Sequence, residues 1–294
     1  MSDFLADTEA RNSTLRALDA MSTDDLVLAI ASDHGRAVHA VTQGASGLAR
    51  VVDQIVDRLT RGGTLHYIGA GTSGRLGVLD ASEMPPTFGV PSDLVCAHIA
   101  GGDRALRVSV EGAEDDGAAG AAEMHDHANA EDAVIGISAS GGAVYVVEAL
   151  KRARELGAYT LAITNSSNSV LARVADDAIV LDTGAEVVAG STRLKAGTAQ
   201  KVALNTISTA VMVKLGKVYE NLMVDVVATN AKLRLRAIRL VETLTGEDRA
   251  RATALLEDAG GRVKIAAVMA WKSVDAKKAQ ALLDAEHGFL RRLR

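Results

Sequence analysis

Residues with chemistry to offer fall in three short stretches. The first, Gly69 to Gly89, reads GAGTSGRLGVLDASEMPPTFG. Two hydroxyls, Thr72 and Ser73, stand among its glycines, and a carboxylate, Glu83, comes just before Pro85 and Pro86. The second, SASGG, sets Ser138 and Ser140 in similar surroundings. The third, SVEGAEDDG, carries Glu111, Glu114, Asp115 and Asp116. Where such a loop opens a helix, backbone N–H groups point outward, the dipole favours an anion, and hydroxyls add donors. Ser and Thr also cap helices in these places. Two such loops on neighbouring strand ends suit one phosphate monoester held by Thr72, Ser73, Ser138 and Ser140. Two glutamates from separate segments around it suit proton transfer, one taking a proton from carbon and the other giving one to a leaving oxygen. Asp115 and Asp116 read as a solvated loop or a helix start. Spacing does not choose between Glu111 and Glu114.

Gly69, Gly71 and Gly74 also spell GxGxxG after a strand. The dinucleotide fingerprint needs an acid about 20 residues further on, at the end of the second strand, to bond the ribose. Asp93 begins that strand instead, and Asp103 lies beyond another glycine pair. The loop is therefore expected to refuse NAD, and no cofactor is expected. His125 and His127, in EMHDHANAED, read as a solvated polar loop, so no metal site is expected. The single cysteine, Cys96, rules out an intrachain disulfide and reads as a small buried hydrophobe in a reducing cytoplasm.

These loops need elements to hold them. From Thr64 onward, short apolar runs at 64–69, 94–99, 133–138, 159–164 and 178–182 alternate with helical stretches near 73–83, 117–128, 142–156 and 195–217. Short buried strands separated by helices predict an α/β fold with a doubly wound, mostly parallel sheet. Ligands in such sheets bind beyond the carboxyl ends of the strands, so the residues after Ile68 and Ile137 are the place to look. Pro85 and Pro86 are expected to end the first of these helices. Upstream, apolar positions recur at helical spacing from Leu26 to Leu59 and stop at the RGG of 61–63. Residues 1–25 read as a peripheral arm. After about 240 the pattern predicts three short helices, with breaks at Gly260-Gly261 and near Ser273, a Ser N-cap there, and a further cap at Thr245 with Asp248. The expected organisation is a phosphate-binding domain over 1–239 with an N-terminal helical arm, and a small helical bundle over 240–294.

The 294 residues are 48 % apolar and 23 % charged but only 3 % aromatic, so small aliphatic side chains must build the core. A net charge of −5 argues against a nucleic-acid binder, which needs a basic face. No apolar run approaches the ~18 residues of a membrane span, and no secretory pattern opens the chain.

GAGTSGRLGVLDASEMPPTFGV, IAGG, VEGAEDD, GAEVVAGSTRLKAGTAQK and GKVYENLMVDVVATNAKL closely resemble the N-acetylmuramic acid 6-phosphate etherases, members of the sugar isomerase (SIS) fold superfamily related to the glucokinase regulatory protein. The resemblance runs from TEARN at 8–12 to the C-terminal GFLRRL. It implies lyase-type cleavage of the D-lactyl ether, giving N-acetylglucosamine 6-phosphate and D-lactate. By motif it implies Glu83 of DASE as proton donor and Glu114 of EGAE as the second catalytic glutamate. It further implies sugar contacts at Glu186, Ser191, Arg193 and Lys195, and a homodimer with its site near the subunit contact. Many relatives have Arg-Thr-Pro after the second loop; Gly142, Ala143 and Val144 stand here, and Ser138 supplies a replacement donor. The rival expectations are a non-catalytic sugar-phosphate sensor and an aldose–ketose isomerase of the same fold.

Overall fold

The computed structural model describes residues 7–15, 17–225 and 231–294. Val226–Asn230 of the last resemblance motif, and part of the expected arm, lie outside the described residues. The helical spacing from Leu26 to Leu59 breaks at His34 and Gly44 into α1 (Thr23–Asp33), α2 (Gly35–Gln43) and α3 (Ala45–Thr60). Strands and helices then alternate: β1 (Leu65–Gly69), α4 (Gly71–Phe88), β2 (Val95–Ile99), α5 (Gly117–His127), β3 (Ala133–Ile137), α6 (Val144–Glu155), β4 (Tyr159–Thr164), α7 (Val170–Val174), β5 (Asp177–Val180) and α8 (Lys195–Lys214). A two-residue ribbon, β6 (Val218–Tyr219) with β7 (Leu222–Met223), leads to α9 (Ala231–Thr245), α10 (Arg249–Asp258), α11 (Val263–Lys272) and α12 (Ala276–Ala285).

All five long strands pair in parallel, in the order β2-β1-β3-β4-β5. β1, β3 and β4 are buried along their whole length, as strands covered on both faces must be. Alternate side chains serve opposite layers. On one face, Val146 and Leu150 of α6 press onto Gly136, where even a Cβ would meet them at 2.8–3.0 Å. On the other, Gly77 of α4 lies against Tyr67, and Gly47 of α3 against Ile179. The small residues of α5 let α6 approach: a Cβ on Gly120 would sit 2.0 Å from the Tyr145 carbonyl oxygen.

The chain forms two compact units. One comprises the chain up to Ser82 together with Asp93–Ser208; the other comprises Glu83–Ser92 and Thr209–Arg294. The second unit has its own apolar core, including Val241, Leu255, Ala266, Val268 and Leu283.

Four expectations need correction, the first being Cys96, which is half-buried at β2 rather than buried. α4 runs through both prolines to Phe88. Each proline removes one intrahelical bond, but its φ suits a helix, and Met84 and Phe88, one turn apart, are both buried. Those burials offset the loss at ~1.5–3 kcal/mol each. The N-cap before α12 is Asp275, whose carboxylate accepts from Lys278 N, while Ser273 is the left-handed end of α11. His125 and His127 lie in the last turn of α5, within the helical stretch expected near 117–128, and not in a polar loop. Asp248 caps α10 as expected, accepting from Arg251 N at 2.9 Å.

Candidate active site

In the order β2-β1-β3-β4-β5 the chain switches direction between β1 and β3. A crevice must open there, beyond the carboxyl ends of the two strands. Both hydroxyl-bearing loops lead out of these strand ends. After β1 the backbone turns at Gly71, with φ +54°, directly into α4. Gly69 and Gly74 touch: a Cβ on Gly69 would lie 2.6 Å from Gly74 N. The glycine spacing is thus used by a tight strand-to-helix turn. After β3, Gly141 takes φ +67° and packs so close to Ser169 that a Cβ would overlap its side chain. α6 starts after Ala143 with no side-chain cap, so its first N–H groups stay open to a ligand.

A cavity of about 330 Å³ lies in this crevice, lined by Thr72, Ser73, Ser138, Ser140 and Glu114 among others. Hydrogen bonds decide which hydroxyls have a proton to give. Ser138 Oγ accepts from Gly141 N at 3.1 Å, and Ser140 Oγ accepts from Gly142 N at 3.2 Å. Both protons remain free for a ligand. Ser73 differs. Asn165 Nδ2 donates to the Leu181 carbonyl at 2.9 Å, which fixes the amide, so Asn165 Oδ1 accepts from Gln200 Nε2 at 3.0 Å. Gln200 Oε1 therefore faces Ser73 and accepts its hydroxyl proton at 2.8 Å. Ser73, Gln200 and Asn165 are all buried.

Glu114 sits on a short 3-10 turn, Ala113–Asp115, entered through Gly112 at φ +74°. It is exposed to the cleft and has no hydrogen-bond or ion-pair partner among the described residues. Glu111 instead accepts from Ser109 Oγ at 3.0 Å and does not line the cavity. Asp116 caps α5 through Ala119 N. Among the described residues no group of three or more His, Cys, Asp or Glu could hold a metal ion, and no helix is long and apolar enough to cross a membrane.

Known proteins resemble the chain in the same terms. Residues 47–154 match the glucokinase regulatory protein N-terminal SIS domain, and 114–210 match the SIS domain. An N-acetylmuramic acid 6-phosphate etherase of Deinococcus radiodurans is 48 % identical over 94 % of this chain and 91 % of its own. One from Symbiobacterium thermophilum is 51 % identical over 89 % and 87 %. The chain belongs to the N-acetylmuramic acid 6-phosphate etherase family. Two solved structures share the fold at a TM-score of 0.50 and 19 % identity. One is a phosphoheptose isomerase from Francisella tularensis, matched over 65 % of this chain and 98 % of its own. The other is an Escherichia coli protein solved with a bound ligand, matched over 68 % and 97 %.

The other residues singled out by the etherase resemblance are placed differently. Glu186 and Lys195 are fully buried. The Glu186 carboxylate caps α8, accepting from Lys195 N at 3.2 Å and Ala196 N at 2.9 Å. Lys195 Nζ lies 2.9 and 2.8 Å from the two oxygens of Asp33 and donates to the Ala185 carbonyl at 2.5 Å. Their polar atoms are engaged within the fold. Ser191 is half-buried and Arg193 is exposed; neither lines the cavity, whereas Gly190 and Thr192 between and beside them do. Glu83 is exposed on α4, in the second unit, and is not part of the cavity lining. It lies twelve residues past Gly71 on an unbroken helix, about 18 Å along the axis.

Sequence reasoning missed Gln200, Asn165 and Glu9, the last of which also lines the cavity. Gln200 and Glu9 belong to motifs that carry the etherase resemblance, AGTAQK and TEARN. It missed as well a buried histidine chain. His98 Nδ1 bonds Glu123 Oε1 at 2.7 Å and must carry the proton, because a carboxylate only accepts. His98 Nε2 then accepts from His66 Nδ1 at 3.0 Å. His66 Nε2 is left buried, 3.4 Å from Asp132 Oδ2, with no donor between them. Burial, and then His98, push the His66 imidazole down to about 4.

Proposed function

We propose that this protein cleaves the D-lactyl ether of N-acetylmuramic acid 6-phosphate with water, releasing N-acetylglucosamine 6-phosphate and D-lactate. One observation carries the reading: Glu114 and both hydroxyl-bearing loops line a single cleft in a chain about half identical to named etherases. The loops hold the phosphate through the free hydroxyl protons of Ser138 and Ser140, the Thr72 hydroxyl, and the open N–H groups at the starts of α4 and α6. The ring-opened sugar is an aldehyde, which acidifies the proton at C2. Glu114 removes that proton, and lactate leaves from C3 as an acid protonates its oxygen. Water then adds to C3 of the unsaturated aldehyde.

The acid in this scheme is Glu83. Glu83 is not among the residues that line the cleft of its own chain; in this reading it serves the cleft of a second copy, and the working unit is a homodimer in the cytoplasm. α1 supports the dimer, since it buries none of its residues within the chain and leaves Val27 and Leu28 exposed. Arg193 and Ser191, beside the cavity-lining Gly190 and Thr192, are retained as sugar contacts, while Glu186 and Lys195 brace the segment from which those contacts project.

The test is incubation of purified protein with N-acetylmuramic acid 6-phosphate and an assay for D-lactate. A sensor would bind the sugar without turnover, and an isomerase would interconvert aldose and ketose phosphates without lactate. Either outcome sinks the reading. For Glu114, solvent deuterium exchange at C2 is the sharper assay: Glu114→Gln should abolish it, and exchange at the wild-type rate would remove Glu114 as the base.

A further inference from the structure

A second carboxylate reaches the same cavity from a distant part of the chain. Glu9 ends the short 3-10 turn Asp7–Glu9 and lines the cavity with Glu114, Thr72 and Ser140. It is exposed, and its carboxylate has no hydrogen-bond or ion-pair partner among the described residues. Gly190 makes room for it: with φ +73°, a Cβ there would sit 2.8 Å from Glu9 Oε2. An ionised carboxylate only accepts hydrogen bonds. Its charge works against a phosphate nearby, which is itself an anion and mainly an acceptor. The donors left on an amino-sugar phosphate are its hydroxyls and its amide N–H.

We propose that Glu9 is a substrate-contacting specificity residue, accepting hydrogen bonds from the neutral hydroxyl or amide N–H groups of the sugar while the two loops hold its phosphate. The cavity thus holds free hydroxyl donors on the loop after β3 and, besides Glu114, a free acceptor in Glu9. Glu9 selects a phosphate that carries a sugar over a bare one. This inference rests on the sugar-phosphate reading above.

The test is calorimetric titration of wild type, Glu9→Gln and Glu9→Ala with N-acetylglucosamine 6-phosphate and, separately, with inorganic phosphate. Glu9→Ala should weaken the sugar phosphate by at least about tenfold, the effect of one charge-assisted hydrogen bond. Glu9→Gln, which keeps one acceptor oxygen, should retain part of that affinity. Inorganic phosphate should bind both variants as well as wild type or better, since a negative charge has gone. In turnover, KM should rise while kcat stays within a few-fold. Unchanged affinity for the sugar phosphate overturns the proposal, as does an equal loss for both ligands, which would mark Glu9 as merely structural. Failure of wild type itself to bind the sugar phosphate refutes the underlying reading, and is told apart because it precedes any substitution.

Discussion

Ser73 Oγ donates its proton to Gln200 Oε1 at 2.8 Å, and a backbone carbonyl at the far end of the chain of amides fixes that direction. Ser73 thus shows the cleft lone pairs, while Ser140 shows it a proton. The two serines, equivalent in the sequence motifs, should part company when replaced. Ser140→Ala removes a hydroxyl donor to a charged acceptor, worth ~1.5–3 kcal/mol, and should weaken N-acetylglucosamine 6-phosphate binding about ten- to a hundredfold. Ser73→Ala should weaken it less. It should instead cost stability of about 1–3 kcal/mol, because Gln200 Oε1 is left buried and unpaired. Paired calorimetry and thermal melts check the crossing; identical effects of the two variants on binding would count against the hydrogen-bond direction.

Lys195 offers a second separation of structure from binding. Its ammonium is fully buried against Asp33, which lies 162 positions away in the chain. Removing one partner of a buried pair leaves an uncompensated charge, at a cost of roughly 3–5 kcal/mol. Lys195→Met should therefore lower the melting temperature by many degrees. Asp33→Asn/Lys195→Met should recover part of the loss, because no lone charge remains. A variant that melts like wild type but loses substrate affinity would return Lys195 to the ligand.

His66 sets a pH dependence. Its folded pKa of about 4 lies below its ordinary value of 6.5. The unfolded chain then binds more protons between those two values, so stability is fully present above pH 6.5 and falls as pH drops toward 4. The charges facing His66 are those of His98, Asp132 and His127, and the two carboxylates at the ends of this chain, Asp132 and Glu123, oppose the shift on their neighbours. The loss attributable to His66 is on the order of 3 kcal/mol across that window. Denaturant titrations at about pH 7, 5.5 and 4.5 should show it, and His66→Gln should flatten the slope. An equally steep slope in His66→Gln would assign the acid sensitivity to other groups.

The strands are legible in the sequence because each is a short, almost unbroken apolar run, and the parallel sheet follows from the helices that fall between them. The cleft is legible for a related reason: in such a sheet chemistry gathers at strand ends, and the residues after Ile68 and Ile137 are there. What stays hidden depends on partners far apart in the chain. Ser73 and Gln200 are 127 positions apart, so no local pattern reveals where the hydroxyl proton goes. Lys195 reads locally as a helix-start cation, and only the fold brings Asp33 to it. The length of α4 is misread because two prolines outweigh Met84 and Phe88 in any local count, whereas their burial decides the outcome.

Glu83 carries the last prediction. It is not among the residues that line the cleft of its own chain, and in the proposed reading the acid of one chain completes the cleft of another. Glu83→Gln alone should reduce kcat by at least about a hundredfold, the low end for losing a positioned general acid. Thr72→Val/Ser140→Ala should fail for a different reason, having lost two of its phosphate donors while keeping Glu83. When the two inactive proteins are mixed and allowed to exchange subunits, a mixed dimer has one cleft with intact loops facing an intact Glu83. Random assortment makes half the dimers mixed, each with one complete site, so activity should return to about a quarter of wild type in a symmetric dimer. If Glu83 acts within its own chain, every cleft in the mixture lacks either the acid or the loops, and nothing returns. Exchange must be verified with differently tagged subunits. With exchange complete, activity that stays at the level of the separate variants would refute a cleft shared between subunits and return Glu83 to the site of its own chain.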